Sequence, residues 1–298
     1  MNGRVLVTGS EGFTGQHVCE AFENAGWEVW GAGTKPLERK RYLRIDLLKP
    51  ETLGQISSEV NPDLVIHLAG VAFVAKDDAD IYYKVNLIGT KNLLEALCLK
   101  NGSKETRVIL ASSSNVYGEA GEVKIAEDTP LSPVSDYAVS KVAVEFLGKS
   151  YRDRLGITIV RPFNYTGVGQ DQSFLIPKIV RHFRDRASTI ELGNLDVARD
   201  FSDVRDIARY YLAVAEAEVS NDTINFCSGR ASSLREIIEI CEAATAHYPG
   251  VVVNPAYVRK NEIRVLVGNN SKLFEATGAQ KITDIEETIR WMLAHTRA

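Results

Sequence analysis

The chain has 298 residues, 45% of them hydrophobic, and a formal net charge of −4, which is length enough for a large core with a substrate lobe beside it. Mild acidity and the lack of a long Lys/Arg cluster argue against nucleic acid or an anionic membrane surface as the main partner. Cys19, Cys98, Cys227 and Cys241 have neither the density nor the spacing of a disulfide framework or zinc site, and no run of about twenty apolar residues offers a membrane span, so a cytoplasmic protein without a metal centre is expected.

The run Arg4-Val-Leu-Val-Thr8 leads straight into Gly9-x-x-Gly12-x-x-Gly15, and residues 13–25 then carry apolar side chains at helical spacing. This order predicts strand, tight turn and helix. Strands are expected at 27–32 and 42–47. The nearly all-apolar run Asp63-Leu-Val-Ile-His-Leu-Ala69 reads as a strand buried on both faces of a parallel sheet, and residues 107–112 and 156–161 repeat the pattern. Helical stretches at 81–99 and 135–154 lie between them. The alternation predicts an α/β fold with a doubly wound parallel sheet of the Rossmann kind. After Arg161-Pro162 the rhythm breaks into a loop, a helix from about 174 to 186, and short strands. Residues 203–217 and 223–227 predict a helix and strand returning to the first sheet. Helices near 234–246 and 285–295 complete a smaller α/β lobe. The expected division is a dinucleotide-binding domain at 1–162 with a return at 203–227, and a substrate lobe at 163–202 and 228–298.

Each glycine of the opening turn serves a physical purpose. One permits the sharp turn, one lets backbone amides approach a pyrophosphate, and one lets helix and sheet pack closely. An NAD site usually ends its second strand with an acid for the adenosine ribose hydroxyls. Here that place reads Gly33-Thr34-Lys35, with Arg39, Lys40 and Arg41 downstream, which leans toward a 2′-phosphate and NADP over NAD. Asp46 is expected either near the adenine or as the cap of the next helix.

Tyr137 and Lys141 stand four residues apart, on one face of the helix expected at 135–154. A nearby ammonium favours the ionised phenol, which turns a tyrosine into a usable proton shuttle. Upstream, the strand at 107–112 ends in Ser112-Ser113-Ser114-Asn115-Val116-Tyr117-Gly118, which places hydroxyls at the carboxyl edge where such sheets bind ligands.

With the glycine turn, His67-Leu68-Ala69-Gly70, Asn86-Leu-Ile-Gly89-Thr90, the serine run, Tyr137-x3-Lys141 and Arg161-Pro-Phe-Asn164 all present, the chain resembles the extended short-chain dehydrogenase/reductases of the nucleotide-sugar epimerase, dehydratase and reductase branch over nearly its whole length. The resemblance implies that Ser113 and Tyr137 hold the sugar carbonyl oxygen while Lys141 contacts the nicotinamide ribose and lowers the tyrosine pKa. It leaves Ser112 and Ser114 as neighbours that pack or bond to backbone. It implies an NADP or NAD site formed by Gly9, Gly12, Phe13, Gly15, Thr34, Asp46, Leu47, Leu68, Ala69, Gly70, Asn86, Tyr137 and Lys141. Dehydratases of the branch carry acids after the catalytic hydroxyl; Ser114 and Asn115 stand there instead, as substrate contacts, so 4,6-dehydration is not expected. The segment 193–201 and the run Arg259-Lys-Asn-Glu262-Ile-Arg264-x3-Gly268 resemble the GDP-mannose members, implying Asn164, Arg199 and Arg259 at the diphosphate, Glu262 at the ribose, and Ser173 and Phe174 beneath the base. His67 reads as a buried strand residue rather than a catalyst.

The activity expected is hydride transfer to C4 of a GDP-4-keto-6-deoxyhexose, giving GDP-rhamnose or its C4 epimer. A UDP-sugar 4-epimerase shares the catalytic residues, and a catalytically silent dinucleotide sensor shares the fold, though it has no need of the trio. The resemblance further implies a homodimer through the helices at 81–99 and 135–154, joined as a four-helix bundle, with Leu93, Leu94, Leu97, Val142, Phe146 and Leu147 shared between core and interface.

Overall fold

The computed structural model describes residues 2–72, 78–99, 106–118, 124–255, 265–279 and 282–295. Its elements in chain order are β1 (Asn2–Thr8), α1 (Phe13–Asn24), β2 (Trp27–Gly33), β3 (Tyr42–Arg44), β4 (Leu64–His67), α2 (Thr90–Cys98), β5 (Arg107–Ala111), α3 (Asp136–Lys149), β6 (Gly156–Pro162) and β7 (Asn164–Thr166). There follow α4 (Leu175–Arg184), β8 (Thr189–Leu192), β9 (Ala198–Asp203), α5 (Val204–Glu216), β10 (Thr223–Phe226), β11 (Ala231–Ser233), α6 (Leu234–Thr245), β12 (Gly250–Val253), β13 (Val265–Leu266), α7 (Ser271–Thr277) and α8 (Ile285–His295).

Seven strands form one parallel sheet in the order β10-β6-β5-β4-β1-β2-β3. Strand side chains alternate between its faces, so Val5 and Val7 join one core with Leu64, Ile66 and residues of α1, α5 and α7, while Leu6 and Val65 join another with residues of α2 and α3. β4 and β6 are buried throughout, as strands of mostly apolar sequence inside a parallel sheet are. The strand order reverses between β1 and β4, which opens a crevice at their carboxyl ends. The expected return is present, since β10 pairs with β6 from Thr223 to Phe226.

Beyond that sheet, β9 lies between β11 and β13 and also pairs with β7, and β12 runs parallel to β8. A third core joins α4, α6 and α8 to β8 and β9 through Ile179, Phe183, Ile237, Ile289 and Phe201. Two differences from expectation have physical causes. β3 stops at Arg44, because its partner β2 ends at Gly33 and Asp46 closes a turn onto the Leu48 amide. α7 is a seven-residue helix whose Leu273 is its one buried side chain, too short for a periodic signal.

α3 is docked by a buried ion pair. Glu145 accepts from Arg161 Nε at 2.8 Å and Nη2 at 2.7 Å, and from the Ser112 hydroxyl at 2.6 Å. Arg161 Nη1 also donates to the Tyr117 hydroxyl at 2.8 Å, which donates in turn to Asn225. Ser112 is packed in the core with its amide on the Val160 carbonyl, and its hydroxyl bonds in addition to a side chain of α3. Removing one partner of such a pair strands a charge. Arg161→Met is expected to lower unfolding free energy by roughly 3–5 kcal/mol in urea titrations, and pairing it with Glu145→Leu should recover most of the loss; a neutral single variant would contradict this account.

Candidate active site

Gly9 ends β1 with φ +69°, a conformation that favours glycine, and its amide donates to the Ala32 carbonyl at 2.7 Å. A Cβ there would come to 2.9 Å from the Ala69 amide nitrogen, so the turns after β1 and β4 touch. A Cβ on Gly15 would overlap the Gly9 carbonyl. Gly12 caps α1 without a side chain. This cradle fits a pyrophosphate: backbone only, a helix start behind it, and no Cβ in the way. Phe13 stacks on Tyr165 with ring centroids 6.1 Å apart, and Thr14 hydrogen-bonds the same tyrosine at 2.8 Å.

Around the cradle, Ala69 donates to the Thr8 hydroxyl at 3.2 Å. Gly70 lies beside Asn86 and Lys141, since a Cβ on it would stand 3.0 Å from Asn86 Oδ1 and 3.6 Å from Lys141 Nζ. Asn86 accepts from the Val71 amide at 2.8 Å and donates to Ser140 at 3.1 Å, tying the loop after β4 to α3. His67 is held between Thr8 and Thr90, and burial drives its pKa to about 3, with Lys141 adding to the effect. It stays neutral, as its reading as a structural strand residue requires. Leu47 packs against Gly89, while the Asp46 carboxylate accepts from the Leu48 amide at 3.0 Å within a turn; the helical turn that follows, Pro50–Thr52, is capped by Lys49 without a side-chain bond, so Asp46 is not its cap. Of the basic residues expected near a 2′-phosphate, Arg39 pairs with Glu23 and Arg41 approaches Glu28 at 3.8 Å.

Ser135 caps α3 by accepting from the Ala138 amide at 3.2 Å, which fixes the helix start two residues before Tyr137. Ser113 caps the short turn Ser114–Tyr117 at the end of β5, and its side chain acts on the Tyr137 phenol. Ser114 is buried and Asn115 exposed. Burial pushes the phenol up to about 12, while Ser113 pulls the other way. This corrects the expected acidification by Lys141. The amine donates to the Ala111 carbonyl at 2.8 Å, and its nitrogen lies 5.9 Å from the tyrosine ring centroid. Burial lowers the Lys141 pKa to about 8, and Glu145 one turn further along α3 opposes the shift. Tyr82 meets Tyr137 edge-on at 5.8 Å. The site is thus a protonated phenol and a hydroxyl at one point of the crevice, with an ionisable amine behind them.

The proposed substrate end is built from β7 and β9. Asn164, exposed at the start of β7, pairs with Phe201, two residues along β9 from Arg199. Arg199 donates to the Ala198 carbonyl at 2.9 Å. Ser173 donates its amide to Asp171 at 2.8 Å, and Phe174 caps α4 with its ring partly exposed. Arg259 and Glu262 lie outside the described residues. Among the described residues no group of three His, Cys, Asp or Glu could hold a metal ion, and no helix is long and apolar enough to cross a membrane.

The family description "NAD dependent epimerase/dehydratase family" matches residues 5–227. The chain belongs to that family. It is 34% identical over 276 residues to GDP-6-deoxy-D-talose 4-dehydrogenase of Aggregatibacter actinomycetemcomitans, covering 92% of this chain and 91% of the relative. It is 35% identical over 305 residues to GDP-6-deoxy-D-mannose reductase of Pseudomonas aeruginosa, covering 99% and 97%. The solved structure of RMD from Pseudomonas aeruginosa complexed with NADPH superposes with a TM-score of 0.86 at 33% identity, covering 98% of each chain. The sheet order and glycine cradle are therefore those of a nicotinamide-dependent enzyme.

The sequence motifs missed Glu145, Ser112 and Tyr117 as the anchors of the site. Glu145 had a signal: it stands eight residues after Tyr137 on the same helical stripe, an acid amid apolar neighbours.

Lys141 also links the site to stability. The unfolded chain keeps a proton on this amine to about pH 10.4, whereas the folded chain releases it near 8. The cost of burying the charge is full below pH 8 and fades as pH rises through that window. Lys141→Met is expected to raise unfolding free energy at pH 7 by up to about 3 kcal/mol, with the gain shrinking toward pH 10. Urea titrations of both proteins at the two pH values check this; a variant less stable than the parent at pH 7 contradicts it.

Proposed function

We propose that the protein reduces C4 of a GDP-4-keto-6-deoxyhexose with NADPH or NADH, yielding GDP-rhamnose or its C4 epimer. The observation that carries the reading is the Tyr137 phenol, held protonated by burial, with Ser113 acting on it from the carboxyl edge of β5. A group that must deliver a proton to a forming alkoxide has to hold one at working pH. Two relatives named for GDP-6-deoxyhexoses support the substrate class.

When bound in the glycine cradle, the cofactor supplies the hydride. Ser113 and Tyr137 hold the carbonyl oxygen and offset its developing charge, and the phenol then gives up its proton. Lys141, fixed to the Ala111 carbonyl and near Gly70, positions the ribose side of the site and can restore the phenol's proton. Asn164 and Arg199 hold the diphosphate; the family resemblance adds Arg259 and Glu262, which lie outside the described residues. Guanidinium groups suit phosphate because they present paired donors. The division into a dinucleotide domain at 1–162 and 203–227 and a sugar-nucleotide lobe from the remainder follows from this placement.

The test is incubation with GDP-4-dehydro-6-deoxy-D-mannose and reduced cofactor, following absorbance at 340 nm and identifying the sugar by NMR. Stoichiometric consumption is expected. Tyr137→Phe should cut the rate by about 10²–10⁴-fold while cofactor affinity holds. Interconversion of UDP-sugars without net cofactor use, or a Tyr137→Phe enzyme of undiminished rate, sinks the proposal.

We further infer a cytoplasmic homodimer. The free thiols of Cys19, Cys98, Cys227 and Cys241 suit a reducing compartment. Leu93, Leu94 and Leu97 are buried and Val142 and Leu147 half-buried, while Phe146 is 61% exposed, with Val139 on α3 and Ile88 just before α2 also exposed. A second copy covering these side chains would form the four-helix bundle. Phe146→Glu is expected to convert a dimer to a monomer in light scattering at micromolar concentration; a parent protein already monomeric there contradicts the dimer.

A further inference from the structure

The end of β2 carries no acid in sequence, yet it has one in space. Glu11, inside the glycine turn, lays its carboxylate against Gly33, the last residue of β2. A Cβ on Gly33 would overlap both carboxylate oxygens. Oε1 accepts from the Thr34 amide at 3.2 Å, and Oε2 is buried with no hydrogen-bond partner in the protein. An acceptor shielded from water and left unpaired is costly unless something donates to it.

The place it occupies is where a fold of this kind meets the adenosine ribose of its dinucleotide. Two cations that could draw in a 2′-phosphate are turned to other carboxylates, Arg39 to Glu23 and Arg41 to Glu28, and Arg44 donates its Nε to the Thr34 carbonyl at 3.2 Å. We propose that Glu11 selects the cofactor: its carboxylate accepts the ribose hydroxyls of NAD(H) and repels the 2′-phosphate of NADP(H). The acid has moved from the strand end to the glycine turn, and Gly33 is the residue that leaves room for it. This inference rests on the glycine turn being the dinucleotide site, and it replaces the NADP preference suggested by the uncharged strand end.

Hydrogen bonds to a charged acceptor and repulsion between like charges both act on the same pair of ligands, so the effect reads out as a ratio. Direct titration of the purified protein with NADH and with NADPH, following the change in nicotinamide fluorescence, is expected to show NADH at least about tenfold tighter. Glu11→Gln, nearly isosteric, and Glu11→Ser, which opens the space, should each weaken NADH and strengthen NADPH, with Glu11→Ser bringing the ratio to unity or inverting it. Thermal midpoints without cofactor report whether each variant is folded. Equal or tighter NADPH binding by the parent protein overturns the assignment, as does an equal loss of both cofactors in a folded Glu11→Gln protein, which is what a merely structural role would give. Failure of the parent to bind either cofactor would overturn the dinucleotide site itself, and the two failures are told apart by that one measurement.

Discussion

Glu145 and Arg161 face each other beneath the crevice with almost no exposure to water, and a buried pair of this kind is tolerated only when every donor and acceptor finds a partner. Here the partners are Ser112 at the end of β5, Tyr117 in the turn beyond it and, through Tyr117, Asn225 on β10. Three segments far apart in sequence, β5 with its turn, β6 and β10, are thereby fixed to one helix. Tyr137, Lys141 and Glu145 repeat every four residues along α3, so locking the third member sets how far the first two reach into the crevice.

The same burial gives the two reactive groups their character. Loss of water disfavours whichever form is charged, which raises a phenol and lowers an amine. Tyr137 is therefore held near 12 and Lys141 near 8, a separation wider than free side chains have. The phenol remains a proton donor at neutral pH, and the amine behind it titrates close enough to that range to exchange protons. Glu145 keeps Lys141 from falling further. The ion pair that positions the helix thus also tunes the amine.

Much of this is legible without coordinates. Strands β1, β4, β5 and β6 are short and mostly apolar, and a sheet covered on both faces buries such runs. Tyr137 and Lys141 can be singled out by their helical spacing, whereas the strand end offers three adjacent hydroxyls and only the family resemblance picks Ser113 among them. β7, β9, β11 and β13 are less visible, since strands of two to six residues in mixed order carry no periodic signal. The partner of the Ser112 hydroxyl is not legible in the sequence, because it lies 33 residues away on α3. Glu11 reads as filler between glycines, because nothing local says that its carboxylate will lie over the end of a strand more than twenty residues downstream.

Sequence by itself determined the fold class, the glycine turn after β1 and the pairing of Tyr137 with Lys141 one helical turn on, since each depends on spacings of a few residues within one element. Tertiary structure alone decided how those groups behave. Whether Lys141 acidifies Tyr137 depends on where the amine points, and it points to the Ala111 carbonyl. How far each group is desolvated depends on what packs over it. Both are properties of contacts between distant segments, which a linear pattern of residues does not encode.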